Sequence, residues 1–355
     1  MNNTPVYQQI KAHLDMLIRM NHSVPSYRLP SESQLAEQFG VSHPTVRRAF
    51  ALLEAEDKIY RLQGKGAFIR PPEAAVPIGY YRVCVIVPTL TDFFSQQLLE
   101  GACTYLRQQH IDTYIQYIGD DYRDEERSIY TVIRQEFHGL LIFPSYQTIH
   151  NQAYTKLAMS RYPLVEMVRH RKGMRIGAVY CDHFQQTYTA ARFLHQKGHT
   201  RIAFFTEPGA SSATYAERIR GYESYMRSAL DASSIRILET STFTGRNYDV
   251  MEDIATLFRR YKGHTALILP ARFIRYLAQY LNRTGTPAPT VLVLDEIDVD
   301  LREMIPFDLY VLSQQPREIG RLAAVQLYNL MTGTGEPREE VVPSVIRFSP
   351  CPKQE

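Results

Sequence analysis

Two sets of residues in this 355-residue sequence have types and spacings suited to chemistry. The first is compact. Ser42-His43-Pro44-Thr45-Val46-Arg47-Arg48 gathers hydroxyls, an imidazole and two guanidinium groups, and Gln63-Gly64-Lys65-Gly66 follows shortly after. Hydroxyls and guanidinium forks reach base edges and phosphate oxygens, and glycines beside a lysine permit close approach to a charged backbone. Arg28 lies upstream of both stretches and is a third cationic candidate. The second set is dispersed: Phe93, Phe94, Ser145, Tyr146, Arg218, Phe243, Asp295 and Gln314. Aromatic faces suit the C–H surface of a polyhydroxylated molecule, while paired charges and amides satisfy its hydroxyls.

Helices must hold the first set in place. Thr4-Pro5 starts a helix with an N-cap and a proline at its first position, and Val6, Ile10, Leu14 and Leu17 give it one buried stripe. Ser31 with Gln34 has the capping-box spacing, Leu35, Ala36 and Phe39 supply an apolar face, and Gly40 can leave the helix left-handed. Ser42 caps a third helix with Pro44 in its first turn, burying Val46, Ala49, Phe50 and Leu53 and directing Thr45, Arg47 and Arg48 elsewhere. Two helices joined by a tight glycine turn, the second opening on hydroxyls and arginines, suit a reader of the DNA major groove. Lys58-Ile59-Tyr60-Arg61-Leu62 and Ala67-Phe68-Ile69 read as a hairpin with Lys65 at its tip.

A different texture begins after the proline-rich linker, residues 71–79. Short apolar runs at 83–87, 115–118, 140–143, 164–168, 178–180, 201–205, 266–269, 291–294 and 309–312 alternate with helical spacing at 95–109, 124–137, 184–197, 215–229, 248–262 and 272–283. The alternation predicts parallel sheets with helices on both faces, and so many strands predict two lobes. Ligands of such folds sit at the carboxyl ends of the strands.

Composition narrows the class. Apolar residues make up 45% and charged residues 22%, as in globular proteins. Residues 1–72 hold nine Lys/Arg against six Asp/Glu, whereas the remainder balances at 31 each, so the whole excess of +3 lies where a phosphate backbone would be met. No run of 18 apolar residues exists and the first twenty residues lack a signal-peptide core, which predicts a cytoplasmic protein with no membrane partner. Cys84, Cys103, Cys181 and Cys351 form no CxxC pair, and Cys84 reads as a core residue. His195 and His199 have a spacing that can bind metal but no HExxH context, and no GxSxG, Walker loop or GxGxxG occurs, so neither a metal, a cofactor nor an enzyme is expected. Asp120, Asp121, Asp124, Glu125 and Glu126 read as a solvated loop and helix N-terminus.

The stretch RLPSESQLAEQFGVSHPTVRRAFALLEAEDKIYRLQGKGAF resembles the winged helix-turn-helix of the GntR family, with its LPSE, GVS, TVR and G-x-G-[TA]-F motifs. The resemblance implies DNA contacts at Ser42, His43, Thr45 and Arg47, and at Gln63, Gly64 and Lys65 in the wing. Ser33 and His43 stand where that family often has arginine, which shifts weight to Arg28 or Arg48. From Tyr80 the chain resembles the LacI-type regulatory domain, through VCVIVPTLTDFFSQQLLEGACTYL, FHGLLIFPS, VYCDHFQQTYTAARFLHQKGHTRIAFFTEP and LSQQPREIGRLAAVQLYNLM. Together these imply an α+β winged helix-turn-helix domain (1–70) and an α/β, two-lobed, periplasmic-binding-protein-like domain (80–350), the arrangement of the arabinose-repressor subgroup. The implied function is a transcription regulator, expected to act as a repressor. It would bind double-stranded operator DNA as a homodimer, controlled by a sugar or sugar acid bound near Arg218 and Asp295. Arg220 is the alternative to Arg218. Pro270-Ala271-Arg272 departs from the family's Asn-Asp or Ser-Asp pair, and the added guanidinium would suit an acidic effector, such as a sugar acid or phosphate, if Arg272 faces the cleft rather than the helix exterior. A sugar-delivering binding protein would have no use for residues 1–70, and a sugar-processing enzyme of doubly wound fold is the other alternative.

Overall fold

The computed structural model describes residues 5–21, 27–56, 58–62, 66–69, 81–119, 121–145, 151–160, 162–171, 173–209, 212–240 and 250–352. Gln63, Gly64, Lys65, the 71–79 linker, Asp120, Tyr146 and Phe243 lie outside these.

The N-terminal head contains α1 (Val6–Asn21), α2 (Glu32–Phe39), α3 (His43–Ala55), β1 (Ile59–Leu62) and β2 (Gly66–Ile69). Ile10, Leu14, Leu35, Val46, Ala49, Phe50, Leu53 and Ile59 are buried together, each of the larger side chains contributing about 1.5–3 kcal/mol of transfer free energy. The buried stripe of α1 differs from expectation at its start. Val6 is exposed, and Ile18 extends the stripe instead, because the first turn projects beyond the core. Ser31 and Gln34 form the expected capping box, and Gly40 ends α2 at φ 62°. Ser42 precedes α3, yet its hydroxyl makes no cap bond and instead lies 3.3 Å from Thr45 Oγ1. Tyr27–Leu29 runs beside β2: the Leu29 N–H donates to the Ala67 carbonyl at 2.9 Å and the Ile69 N–H to the Tyr27 carbonyl at 3.0 Å.

Lobe 1 is built on β3 (Arg82–Val87), β4 (Asp112–Tyr117), β5 (Gly139–Ile142), β6 (Leu164–Met167), β7 (Gly177–Tyr180) and β13 (Glu339–Val341). Their order is β13-β7-β6-β5-β3-β4, with β3, β4, β5 and β6 paired in parallel. The helices α4 (Phe93–Gln108), α5 (Tyr122–Arg134) and α6 (Gln152–Ser160) alternate with the strands. Cys84 is buried, and burial raises its thiol to about 12, so it is an inert core residue. The acidic run divides: Asp121 caps α5, but Glu125 is fully buried, because a helix returning to the core after one turn carries its second acidic face inward.

Lobe 2 is built on β8 (Ile202–Thr206), β9 (Ile237–Glu239), β10 (Ala266–Pro270), β11 (Thr290–Leu294), β12 (Leu309–Ser313) and β14 (Val345–Ser349), in the order β14-β12-β11-β10-β8-β9. All pair in parallel except β14, which runs antiparallel to β12. Alternate strand residues enter opposite cores. Ala203, Phe205, Leu267, Leu269, Val291 and Val293 pack with α9 (Val250–Arg260) and α10 (Ile274–Thr284). Ile202, Phe204, Ala266, Ile268, Leu292 and Leu294 pack with α7 (His183–Gln196) and α8 (Ala213–Ala229). This is the doubly covered parallel sheet that the alternation implied. Two further helices follow β11 and β12: the short α11 (Val299–Glu303) and the 16-residue α12 (Pro316–Met331).

Candidate functional site

In the head, Ser42, His43, Arg47 and Arg48 are exposed at the start of α3 and Thr45 is half-buried, the arrangement the helix spacing implied. The two arginines are engaged within the head. Arg47 Nε lies 2.8 Å from Glu32 Oε2, and Arg61 Nη1 lies 3.2 Å from the same carboxylate. The Arg48 guanidinium stacks 4.1 Å over the Tyr7 ring. Arg28 lies across the base of the wing: a Cβ on Gly66, whose φ is 111°, would stand 2.9 Å from Arg28 Nε. Only glycine lets the guanidinium lie there. Tyr27, Arg28, Leu29, Pro30, Ser31 and Gln34 line a groove at the N-terminus of α2, where the helix dipole adds to the arginine's charge.

Lobe 2 collects its polar candidates around one buried ion pair. Arg218 of α8 is 3% exposed. Its Nη2 donates to Asp295 Oδ1 at 2.8 Å and Oδ2 at 3.1 Å, and its Nε donates to Gln186 Oε1 at 3.1 Å. Gln314 Nε2 also donates to Asp295. Burial alone would raise the Asp295 carboxyl, but the Arg218 charge and the Gln314 bond outweigh it and hold the group below its ordinary value. Asp295 sits at φ 76° and Gln315 at φ 58°, left-handed backbone that clusters where function constrains a chain. Gln186 Nε2 and Gln314 Oε1 are buried without a hydrogen-bond partner among the described residues, leaving one donor and one acceptor beside the pair. Arg220, by contrast, is exposed with its guanidinium 5.8 Å from the Phe184 ring.

The Arg272 guanidinium is not free. It pairs with the fully buried Glu207 carboxylate and donates to Tyr215 OH at 2.5 Å. The carboxylate missing after β10 is thus supplied after β8, and the cation is compensated. In lobe 1, Ser145 follows β5 and is 1% exposed; its N–H donates to Glu125 Oε2 at 2.5 Å and its hydroxyl has no partner among the described residues. Phe93 and Phe94 open α4, both half-buried. His195 and His199 face different partners, Tyr225 OH at 2.9 Å and Thr265 Oγ1 at 3.0 Å.

Residues 6–69 match the bacterial regulatory proteins of the gntR family. Residues 81–254 match the periplasmic binding proteins and sugar binding domain of the LacI family, and residues 191–349 a periplasmic binding protein-like domain. The chain thus joins a segment that matches the gntR family to a body that matches the LacI-type sugar binding domain. The arabinose metabolism transcriptional repressor of Geobacillus stearothermophilus is 25% identical over 221 residues, 61% of this chain and 60% of that protein, so less than two thirds of that relative's length is spanned. The probable HTH-type transcriptional regulator EndR of Paenibacillus polymyxa is 23% identical over 330 residues, 89% of this chain and 95% of that one. A LacI family transcriptional regulator from Enterococcus faecium, solved with bound ribose, shares the fold at a TM-score of 0.62 and 20% identity, covering 76% of this chain and 97% of that chain.

Matches to a DNA-binding family and to a sugar-binding domain thus meet in one chain. No described helix of this chain is long and apolar enough to cross a membrane. Sequence reasoning named Arg218, Asp295 and Gln314, which the structure brings together, and did not name their neighbour Gln186, nor Glu207 and Tyr215 beside Arg272. Gln186 and Tyr215 sit on amphipathic helices among many polar neighbours, and no local spacing separates a buried polar group from a solvated one.

Proposed function

We propose that this regulator binds double-stranded operator DNA in the cytoplasm as a homodimeric repressor and that a neutral sugar, bound by lobe 2, changes its operator affinity. The observation that carries the effector reading is the buried Arg218–Asp295 pair with Gln186 Nε2 and Gln314 Oε1 left beside it. A vicinal diol offers each hydroxyl as donor and acceptor, matching a carboxylate, a guanidinium and two amide ends at once. Compensation of Arg272 by Glu207 favours a neutral ligand over a sugar acid. Ser145, Phe93, Phe94, Tyr146 and Phe243 remain further candidates for the effector.

At the other end, Ser42, His43, Thr45, Arg47 and Arg48 would meet base edges and phosphates, with Arg28, Gln63, Gly64 and Lys65 along the backbone. One recognition helix offers few base contacts, and two-fold symmetry doubles them. The edge strand β4 leaves Tyr114, Ile115 and Tyr117 about half exposed, an apolar edge suited to a second copy of the chain. A coupling of roughly 1–3 kcal/mol between effector and operator sites gives a 5- to 150-fold change in affinity.

Thermal unfolding of the full chain with pentoses, hexoses and sugar acids tests the effector reading. Stabilisation by a neutral sugar that is not consumed, and its loss in Arg218→Ala, is the expected result. Consumption of the sugar would establish an enzyme instead. Selection from a random duplex pool tests the operator reading, with enrichment of a two-fold symmetric sequence expected.

A further inference from the structure

Helix α1 carries two apolar stripes. Ile10, Leu14 and Ile18 enter the core of the head. Met16 and Met20 instead pack against the lobe 1 cluster that contains Ile129, Ile133, Phe137 and Leu157. Met20 is 4% exposed and the neighbouring Asn21 is 2% exposed, at a helix end where side chains are ordinarily wet. Between the two methionines on the same face, Arg19 Nη1 donates to the Arg134 carbonyl at 3.0 Å, and its Nε lies 3.5 Å from Glu136 Oε1. Arg134 is the last residue of α5, whose terminal carbonyls have no partner within the helix and form the negative end of its dipole. A guanidinium there caps α5 from outside, as a lysine or arginine of the helix's own last turn ordinarily would. Helix α1 also packs on α6.

We propose that the surface of lobe 1 formed by the C-terminal end of α5 and by α6 is a docking site for the chain's own reading head. Helix α1 then fixes the head to lobe 1, and with it the direction in which α3 presents its arginines. An arginine aimed at a helix C-terminus and a methionine buried in another domain's core are specific, directional contacts. A domain held by its linker alone would expose both. Movement of lobe 1 is transmitted to the head through this contact, whatever ligand drives it, so the inference stands apart from the sugar assignment.

Hydrogen exchange of the full chain, with no ligand added, tests it. The amides of Leu17–Asn21 are expected to exchange as slowly as those of α5 rather than at the rate of a frayed helix end. Met20→Asp is expected to speed their exchange roughly tenfold or more, and Glu136→Arg about threefold, while the amides of Phe50–Leu53 stay protected. The Phe50–Leu53 amides report whether the head itself remains folded. Should Met20→Asp unfold it, Glu136→Arg decides, because the Glu136 side chain is 69% exposed and outside the head's core. Fast exchange of Leu17–Asn21 in the unmodified chain overturns the proposal. So does unchanged exchange there in Glu136→Arg with the head intact.

Discussion

Arg218 and Asp295 stand 77 residues apart in the chain, yet one guanidinium nitrogen reaches both carboxylate oxygens, at 2.8 and 3.1 Å. Helix α8 delivers the cation and the end of β11 the anion, so the pair joins a helix to the carboxyl edge of the sheet. Removing one member leaves the other charged and largely enclosed. Arg218→Ala is expected to cost about 3–5 kcal/mol in urea unfolding. The double change Arg218→Met with Asp295→Leu is expected to cost less than the sum of the single changes, and strict additivity would show that the two residues are not coupled.

The same pair sets an acid limb. The folded-state pKa of Asp295 is depressed, so its contribution to stability is complete above the ordinary carboxylate value, about 3.9, and disappears as pH falls through the lower folded value. Urea midpoints measured from pH 7 down to about pH 2.5 are expected to fall less steeply at the acid end in Arg218→Ala than in the unmodified chain. Parallel curves would remove Arg218 as the cause.

Helices α7 and α8 touch at Gly221, where an added Cβ would lie 2.1 Å from the Phe184 carbonyl oxygen and 2.5 Å from Thr187 Oγ1. Thr187 itself donates to the Arg218 carbonyl at 2.6 Å, so this crossing holds Arg218 in place. Gly221→Ala is expected to destabilise lobe 2 by about 3 kcal/mol in calorimetry and to weaken sugar binding with it. A variant as stable as the parent would mean the helices can separate freely.

Charge compensation at Arg272 makes a prediction about ligand class. Glu207→Gln leaves the guanidinium without its carboxylate, so thermal stabilisation by sugar acids is expected to rise relative to that by neutral sugars. If the preference stays fixed, Arg272 does not face the ligand.

At the DNA end, Arg47→Ala is expected to weaken binding of a selected operator by about 1–3 kcal/mol and to lower the salt slope by about one, read by fluorescence anisotropy. Arg61 still pairs with Glu32 in that variant, so the head should unfold at nearly the same temperature.

Local order was legible along most of the chain. The Ser31–Gln34 capping box, the Gly40 exit and the strand–helix alternation after residue 81 are short-range codes, written within a few residues and indifferent to what lies across the fold. The short strands β9, β13 and β14 escaped because three to five partly exposed residues carry too little periodicity, and their pairing is set by neighbouring strands.

By itself the sequence determined a basic helix-turn-helix head, a parallel two-lobed body, and Arg218 and Asp295 as candidate residues. Tertiary structure decided how those residues are used. It placed Glu125 in a core rather than in solvent, neutralised Arg272 with Glu207, occupied Arg47 with Glu32, and turned Met20 toward lobe 1. Each outcome depends on a partner 15 to more than 100 residues away, and electrostatic and packing energies act through space, where linear spacing carries no record of them.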